Sequence, residues 1–333
     1  MALFLPFFVK KVEDNLELFL FAMGALALTA SSRWTFSIIR EALLEPILIS
    51  VAVLVAGLLF RIFRSYERRA IRRAISALGA KAFAFAVVVA LGVVTSLITS
   101  IVAALLLVEI IDCLRLDRED EIKIAVIACY AIGISAVLTP LGGPLATIVI
   151  AKLEGRPYNA SFWFLFERLW PYIIPGIFGF GALAAILVKG GRGDGRLKED
   201  REETFRDVFL SAAKTYLFIV ALVFLGAGFE PVIDAYIPKV PAVGLFWINS
   251  LSAILDNATL AAAEIGPTMK TDQLAFALVG LIIAGGMLVP GNIANIISAG
   301  KLRIKSGEWM AVGLPIGAAA MALYFAALLV FGT

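Results

Sequence analysis

Residues 138–153, LTPLGGPLATIVIAKL, return near the far end of the chain as LVPGNIANIISAGKL, residues 288–302, with one residue deleted. Leu and Ile coincide by chance in any two apolar segments. Proline, glycine and a closing Lys-Leu in the same order are harder to obtain that way. The similarity extends outward from this pair. Upstream lie TSLITSIVAALLL (95–107) and SAILDNATLAAAE (252–264), each an apolar segment interrupted by polar residues. Downstream lie FWFLFERLWPYIIPGIFGF (162–180) and EWMAVGLPIGAAAMALYF (308–325), which open on aromatics and carry proline. The repeating unit reads as span, hairpin, interrupted span, span. Three crossings are an odd number, so the second copy must be inverted relative to the first.

Composition identifies the solvent this unit sees. The chain has 333 residues, 61% hydrophobic and 17% charged, with a mean hydropathy of +0.95. Soluble domains are about half apolar and a quarter charged. Full crossings are expected near 15–34, 42–62, 123–153, 171–189, 209–228, 272–300 and 311–331. Two further segments, about 78–113 and 241–266, have arms of about 14 to 18 residues, roughly 21 to 27 Å as helix. One arm barely reaches across a ~30 Å hydrocarbon core, so both read as re-entrant hairpins. The expected fold is an all-α polytopic membrane protein of two inverted-topology repeats, each with a re-entrant helical hairpin and a broken transmembrane helix.

The domains follow from these segments. Residues 1–40 form an interfacial lead-in and first transmembrane helix, without the basic start and small-residue cleavage site of a signal peptide. Residues 41–189 form the first repeat (hairpin about 78–113, broken helix 123–153). The charged 190–208 is a cytoplasmic linker, and 209–333 form the second repeat (hairpin about 241–266, broken helix 272–300). Arginine and lysine set the orientation. RIFRSYERRAIRR (61–73) carries six arginines, KGGRGDGRLKEDREETFRD (189–207) six basic residues and KLRIKSGEW (301–309) three. All three are expected in the cytoplasm of a prokaryotic cell, with the N-terminus inside and the C-terminus outside the plasma membrane. KLEGRPY (152–158) is a mild violation, with two basic residues outside.

Several function classes fall away. A net charge of +3 with no basic-aromatic stripe does not suit nucleic acid. Cys113 and Cys129 suggest no disulfide framework. Histidine is absent, which removes the usual general base, transition-metal ligand and triad member. No Walker loop or metalloprotease motif occurs, and GRGDG (191–195), reminiscent of intramembrane aspartyl proteases, lies in a charged loop.

The remaining polar residues gather at the interruptions. Asp256 and Asn257 fall opposite Thr99 and Ser100 when the hairpins are aligned, with Ser252 and Thr259 beside them. Asp and Asn are favoured helix caps. An intramembrane Asp costs roughly 2.5–3.5 kcal/mol on insertion scales, and a Ser or Thr cap would avoid that cost. Asp256 is therefore expected both to cap a helix and to build a site. In the broken helices, TPLGGP (139–144) and VPGNIAN (289–295) hold the residues that stop a helix, including Pro140, Gly142, Gly143, Pro290 and Gly291. Unwound carbonyls there, with oxygens of Thr139, Asn292 and Asn295, could coordinate Na⁺. The expected sodium ligands are Asp256, Asn257 and Asn292. Glu109, Asp112 and Glu264 are expected near the interface, with roles that sequence leaves open.

SAILDNATL followed by PGNIANIISAGKLRI, EW and GLPIG resembles the ion transporter superfamily. That group holds arsenite pumps, D-type sodium/proton antiporters, citrate carriers and divalent anion/sodium symporters. Within it the chain looks most like a short prokaryotic family described as sodium/proton antiporters. The resemblance covers about 41–331 and matches Asp256 and Asn257 to a hairpin-tip motif. It matches Gly291, Asn292 and Asn295 to a helix-break motif. It departs in the first half, where Ile-Thr-Ser replaces the acidic tip of many antiporters, and in the absence of peripheral spans.

The expected function is secondary ion transport by alternating access, Na⁺/H⁺ exchange first and Na⁺-coupled uptake of a small anion second. An enzyme is not expected, since histidine and a paired catalytic aspartate are both missing. No cofactor is expected beyond Na⁺ as coupling or transported ion. Expected partners are the bilayer, Na⁺, H⁺, a small anion under the second reading, and a second copy of the chain in a homodimer.

Overall fold

Gly79 turns the chain at φ 76° and ψ 159°, a conformation available to glycine and strained for other residues. It kinks a helical run that would otherwise extend from Phe36 to Thr95. The computed structural model containing this run describes residues 16–114, 116–189, 205–236 and 240–332. Among them every regular element is a helix, and none is a strand. The order is α1 (Leu16–Ala30), α2 (Phe36–Thr95, kinked at Gly79), α3 (Ser100–Leu114), α4 (Arg118–Ser135), α5 (Pro144–Leu153), α6 (Phe164–Leu187) and α7 (Phe205–Tyr236). After these come α8 (Ala242–Ile248), a 3-10 turn (Asn249–Ala253), α9 (Asn257–Glu264), α10 (Thr271–Ala284), a 3-10 turn (Val289–Gly291), α11 (Ile293–Leu302) and α12 (Ser306–Phe331).

Among the described residues, four stretches are long and apolar enough to cross a membrane: Leu78–Thr95, Phe164–Leu187, Ala212–Phe229 and Ser306–Phe331. The sequence leads to seven full crossings, two of them, 123–153 and 272–300, interrupted. Residues 17–30 and 271–284 are apolar helices of fewer than 18 residues. The arginine-rich 61–73 was expected to bound a crossing, yet its backbone continues α2. The expected break in 123–153 occurs between Ser135 and Pro144, and the break in 272–300 between Ala284 and Ile293. The lead-in before Leu16 and residues 190–204, including GRGDG, lie outside the described residues. Residues 205–208 of the expected linker belong to α7.

Glycine sets how closely helices meet. A Cβ on Gly24 of α1 would lie 2.8 Å from Cβ of Phe224 on α7, and one on Gly228 would lie 2.6 Å from Cβ of Ala27. Gly24 faces the 221–225 turn and Gly228 faces Ala27, while Lys214 pairs with Glu17 at 3.0 Å. The contacts rise together in both helices, so α1 and α7 run parallel. Small residues that let backbones approach are the main means of helix association in lipid, where hydrophobic burial between helices is worth little.

Polar contacts tie the loops at each end. At one end the Arg118 guanidinium donates to the carbonyls of Leu302 (3.0 Å) and Arg303 (2.8 Å) and to Glu308 (2.9 Å). These bonds satisfy carbonyls at the C-terminus of α11. The Lys189 amide donates to Asp120 at 3.2 Å at the same end. At the other end Lys152 donates to the Ala262 carbonyl, and the Tyr158 hydroxyl to that of Met269. The last helix of each half also meets its counterpart, where the Tyr324 hydroxyl donates to the Tyr172 carbonyl at 3.2 Å.

Candidate functional site

Four helices begin at one place inside the protein. Each uses a different device for the N–H groups that a helix start leaves unpaired. At α3 the Thr99 hydroxyl accepts from the Val102 amide at 3.2 Å. Proline occupies the first turn of α5, after Gly143, and removes one donor. Asp256 caps α9, and at α11 the Asn292 Oδ1 accepts from the Ala294 amide at 3.0 Å. Ser100, Pro144, Asn257 and Ile293, from the starts of these four helices, line one small cavity of about 20 Å³. About 10–15 Å³ suffices for one water. The cavity therefore has the scale of a single water or a bare alkali cation.

Among the described residues, Asp256 is the one carboxylate on its wall. Its Oδ2 accepts from the amides of Ala258 (3.1 Å) and Thr259 (3.2 Å), with the Thr259 hydroxyl at 3.4 Å. Its Oδ1 is buried with no hydrogen-bond partner. A buried acceptor left unpaired costs about 1–3 kcal/mol, and more when charged. One oxygen thus does the capping and the other remains for a ligand. Asn257 and Asn292 share the cavity, and Asn292 Nδ2 lies 2.8 Å from where a Cβ on Gly133 would stand. Alanine at Gly133 would displace that amide.

The remaining predicted residues divide by what they touch. Ser100, Gly143, Asp256, Asn257 and Asn292 converge on the small cavity. Thr99, Pro140 and Thr259 instead line a larger, open cavity of about 820 Å³ that reaches Asp256 from one side. Thr139 donates to the Ser96 carbonyl and Ser252 to that of Leu281 at 2.9 Å, so both hydroxyls fasten elements together. The Gly142 carbonyl accepts from the Ser100 amide at 2.8 Å, which joins the first break to the turn before α3. Asn295 clamps the second break by donating to the carbonyls of Gly285 (2.8 Å) and Leu288 (2.9 Å), while its Oδ1 is buried without a partner. Gly291 packs where a Cβ would strike the carbonyls of Gly285 and Ser252, both 2.5 Å away. Pro290 sits in the 3-10 turn before Asn292. None of Thr139, Ser252, Gly142, Pro290, Gly291 and Asn295 lines either cavity.

Glu264 is only 7% exposed, and its Oε1 accepts from Asn249 Nδ2 at 3.1 Å. Asn249 Nδ2 also donates to the Ala277 carbonyl at 3.0 Å, so one amide joins α9, α10 and the turn after α8. Sequence could have flagged this pair only through the rarity of buried amides in apolar runs. Glu109 and Asp112 on α3 are half-buried. Gly133, Ala136, Val137 and Ile282 also line the small cavity. They escaped notice because small and apolar residues carry no chemical signal in a chain this hydrophobic.

The donor set is one carboxylate with amide, hydroxyl and carbonyl oxygens. Among the described residues no three His, Cys, Asp or Glu side chains gather as a metal cluster. Hard oxygen donors around a water-sized space suit an alkali cation or a proton better than a soft metal. Residues 1–331 match a family described as "Protein of unknown function (DUF1646)", and the chain belongs to that family. No curated protein matches the chain.

Proposed function

For this member of the DUF1646 family we propose secondary cation transport, with Na⁺ and H⁺ exchanging at Asp256. The observation that carries this reading is the unpaired, buried Oδ1 of Asp256 on the wall of a cavity that holds one water-sized species. Among the described residues, no lysine or arginine lines that cavity. Oδ2 is held by the α9 amides, so ligands exchange at Oδ1. A proton there neutralises the carboxylate; Na⁺ there keeps it ionised and draws further oxygens from Asn257, Asn292 and Ser100. The two states cannot coexist on one oxygen, and that competition is the basis of exchange.

The finer architecture belongs to the same proposal. The turns at 96–99 and 249–256 are the tips of two re-entrant hairpins, and the breaks at 136–143 and 285–292 are equivalent positions of two inverted repeats. Equal ten-residue helices after each break, α5 and α11, support the equivalence. Irregular backbone at membrane depth is tolerated where protein buries it or water reaches it. The bonds of Ser100 to Gly142 and of Asn295 to Gly285 supply that burial.

The anion reading has its own support, because four converging helix N-termini present partial positive charge of about half a unit each. Asp256 already places a carboxylate in that field. A small carboxylate or oxyanion has several heavy atoms, and a cavity of about 20 Å³ does not admit it in this conformation. Proteoliposomes with a trapped pH dye separate the two. An imposed Na⁺ gradient should move protons with chloride as the sole anion, and Asp256→Asn should abolish the signal. Proton movement that requires an added oxyanion, or survives unchanged in the variant, would remove the exchange mechanism.

A further inference from the structure

The two cavities share a wall. Ser100, Gly143, Pro144, Asp256, Ala258 and Ile293 line both. Val137 and Ile282, each 1% exposed, line the small cavity and not the larger one. Asp256 itself lines the larger, open space.

That space points to one end of the molecule. Its outer wall includes Ile38, Glu41 and Leu44, in the first three turns of α2. Thr147 of α5 and Ala262 of α9 lie on the way from the central helix starts toward the Lys152–Ala262 contact. Ile219 to Ala227 of α7 complete the wall opposite. The α1–α2 turn and the 152–158 loop therefore mark the open end, and the Arg118–Glu308 contacts mark the opposite one. Among the described residues, the charged lining consists of two carboxylates, Glu41 and Asp256. Arg33 and Arg40 are on the same segment as Glu41, but neither lines a cavity.

We infer that the larger cavity is the aqueous entry route to Asp256 from the end bearing the α1–α2 turn, and that Glu41 selects cations along it. This extends the cation-transport proposal to access and selectivity. A low-dielectric cleft bearing charge of one sign concentrates counter-ions about tenfold or more. Glu41 stands at the exposed end of a mostly apolar passage, where its field acts before the ion reaches Asp256. Its carboxylate is a filter and not a coordinating ligand, because the central cavity lacks it.

The test needs no transport assay to begin. Thr147→Cys, in a background with Cys113 and Cys129 replaced, places a thiol on the passage wall. Cationic and anionic methanethiosulfonates should both modify it, the cationic reagent faster. Adding Glu41→Gln should lower the cation-to-anion rate ratio about threefold or more, and Glu41→Asp should restore it. In proteoliposomes Glu41→Gln should raise the apparent KM for Na⁺ while the maximal rate holds. Absence of modification by either reagent would mean an apolar groove filled by lipid and would overturn the proposal. So would a rate ratio indifferent to Glu41. If the labelling pattern holds while Na⁺ gradients move no protons, the entry route stands and the exchange reading alone fails.

Discussion

Asp256 divides its two oxygens between structure and ligand, and substitutions can separate the two duties. Asp256→Asn keeps an oxygen able to cap α9, since Asn and Asp rank about equally as caps, but removes the titratable group. Folding should survive, while Na⁺-dependent stabilisation of the purified protein falls sharply. Asp256→Ala loses the cap as well and should cost about 1 kcal/mol more, read as a lower thermal midpoint in the absence of Na⁺. An Asn variant that keeps both Na⁺ stabilisation and pH dependence would reduce Asp256 to a cap. Asn295 works differently. Asn295→Ala strips one donor from the carbonyls of Gly285 and Leu288 and should destabilise by roughly 1–3 kcal/mol. Because the side chain lines neither cavity, the surviving folded fraction should bind Na⁺ with little change. Thermal melts with and without Na⁺ distinguish these cases, and a loss of Na⁺ response without a loss of stability would make Asn295 a ligand.

At the scale of elements, the interruptions were the most legible feature of the sequence, because helix breakers act locally. TPLGGP and VPGNIAN stop helices wherever they occur, and the observed gaps, 136–143 and 285–292, lie on them. The polar turns at 96–99 and 249–256 were equally visible, since neither falls within a continuous α-helix. Helix lengths were less legible. Hydropathy does not see that α2 passes through its arginines and bends only at Gly79, nor that an apolar run such as 272–300 is two short helices around a turn. Convergence of Asp256 with Ser100 and Asn292 was expected from the aligned halves. The division of labour among the other candidates was not, because a buried amide that clamps carbonyls has the same sequence signature as one that binds an ion. Glycine contacts are similarly silent. A Cβ on Gly226 of α7 would overlap Cγ2 of Thr259, whose amide is one of the two that hold Asp256, whereas one on Gly179 would meet nothing within 4 Å. Gly226→Val should therefore destabilise by about 1–3 kcal/mol and weaken Na⁺ stabilisation, with Gly179→Val as the control for valine in a helix. Equal melting behaviour of the two variants would show that α7 does not support the α9 start.

For the whole molecule, function depends on which end faces which compartment. Contacts group 118–120, 189 and 302–308 at one end and 152–158 with 262–269 at the other. The first group adjoins the basic stretches 189–207 and 301–309, and basic segments near membrane spans are retained in the cytoplasm. On that rule we propose that the entry route opens to the exterior and that Val137 and Ile282 lie on the inward side of the site. A single membrane-length stretch, Ala212–Phe229, separates the basic start of α7 from its far end, so the residues on either side of it must label from opposite faces. With Cys113 and Cys129 replaced, Ser65→Cys should react with an impermeant maleimide only after the membrane is opened. Ala235→Cys should react in intact cells. The reversed pattern would turn the molecule over and make the passage beside Glu41 a cytoplasmic one, leaving the site intact. Labelling of both positions from the same face would contradict the inverted arrangement, since no odd number of crossings could then separate residue 65 from residue 235.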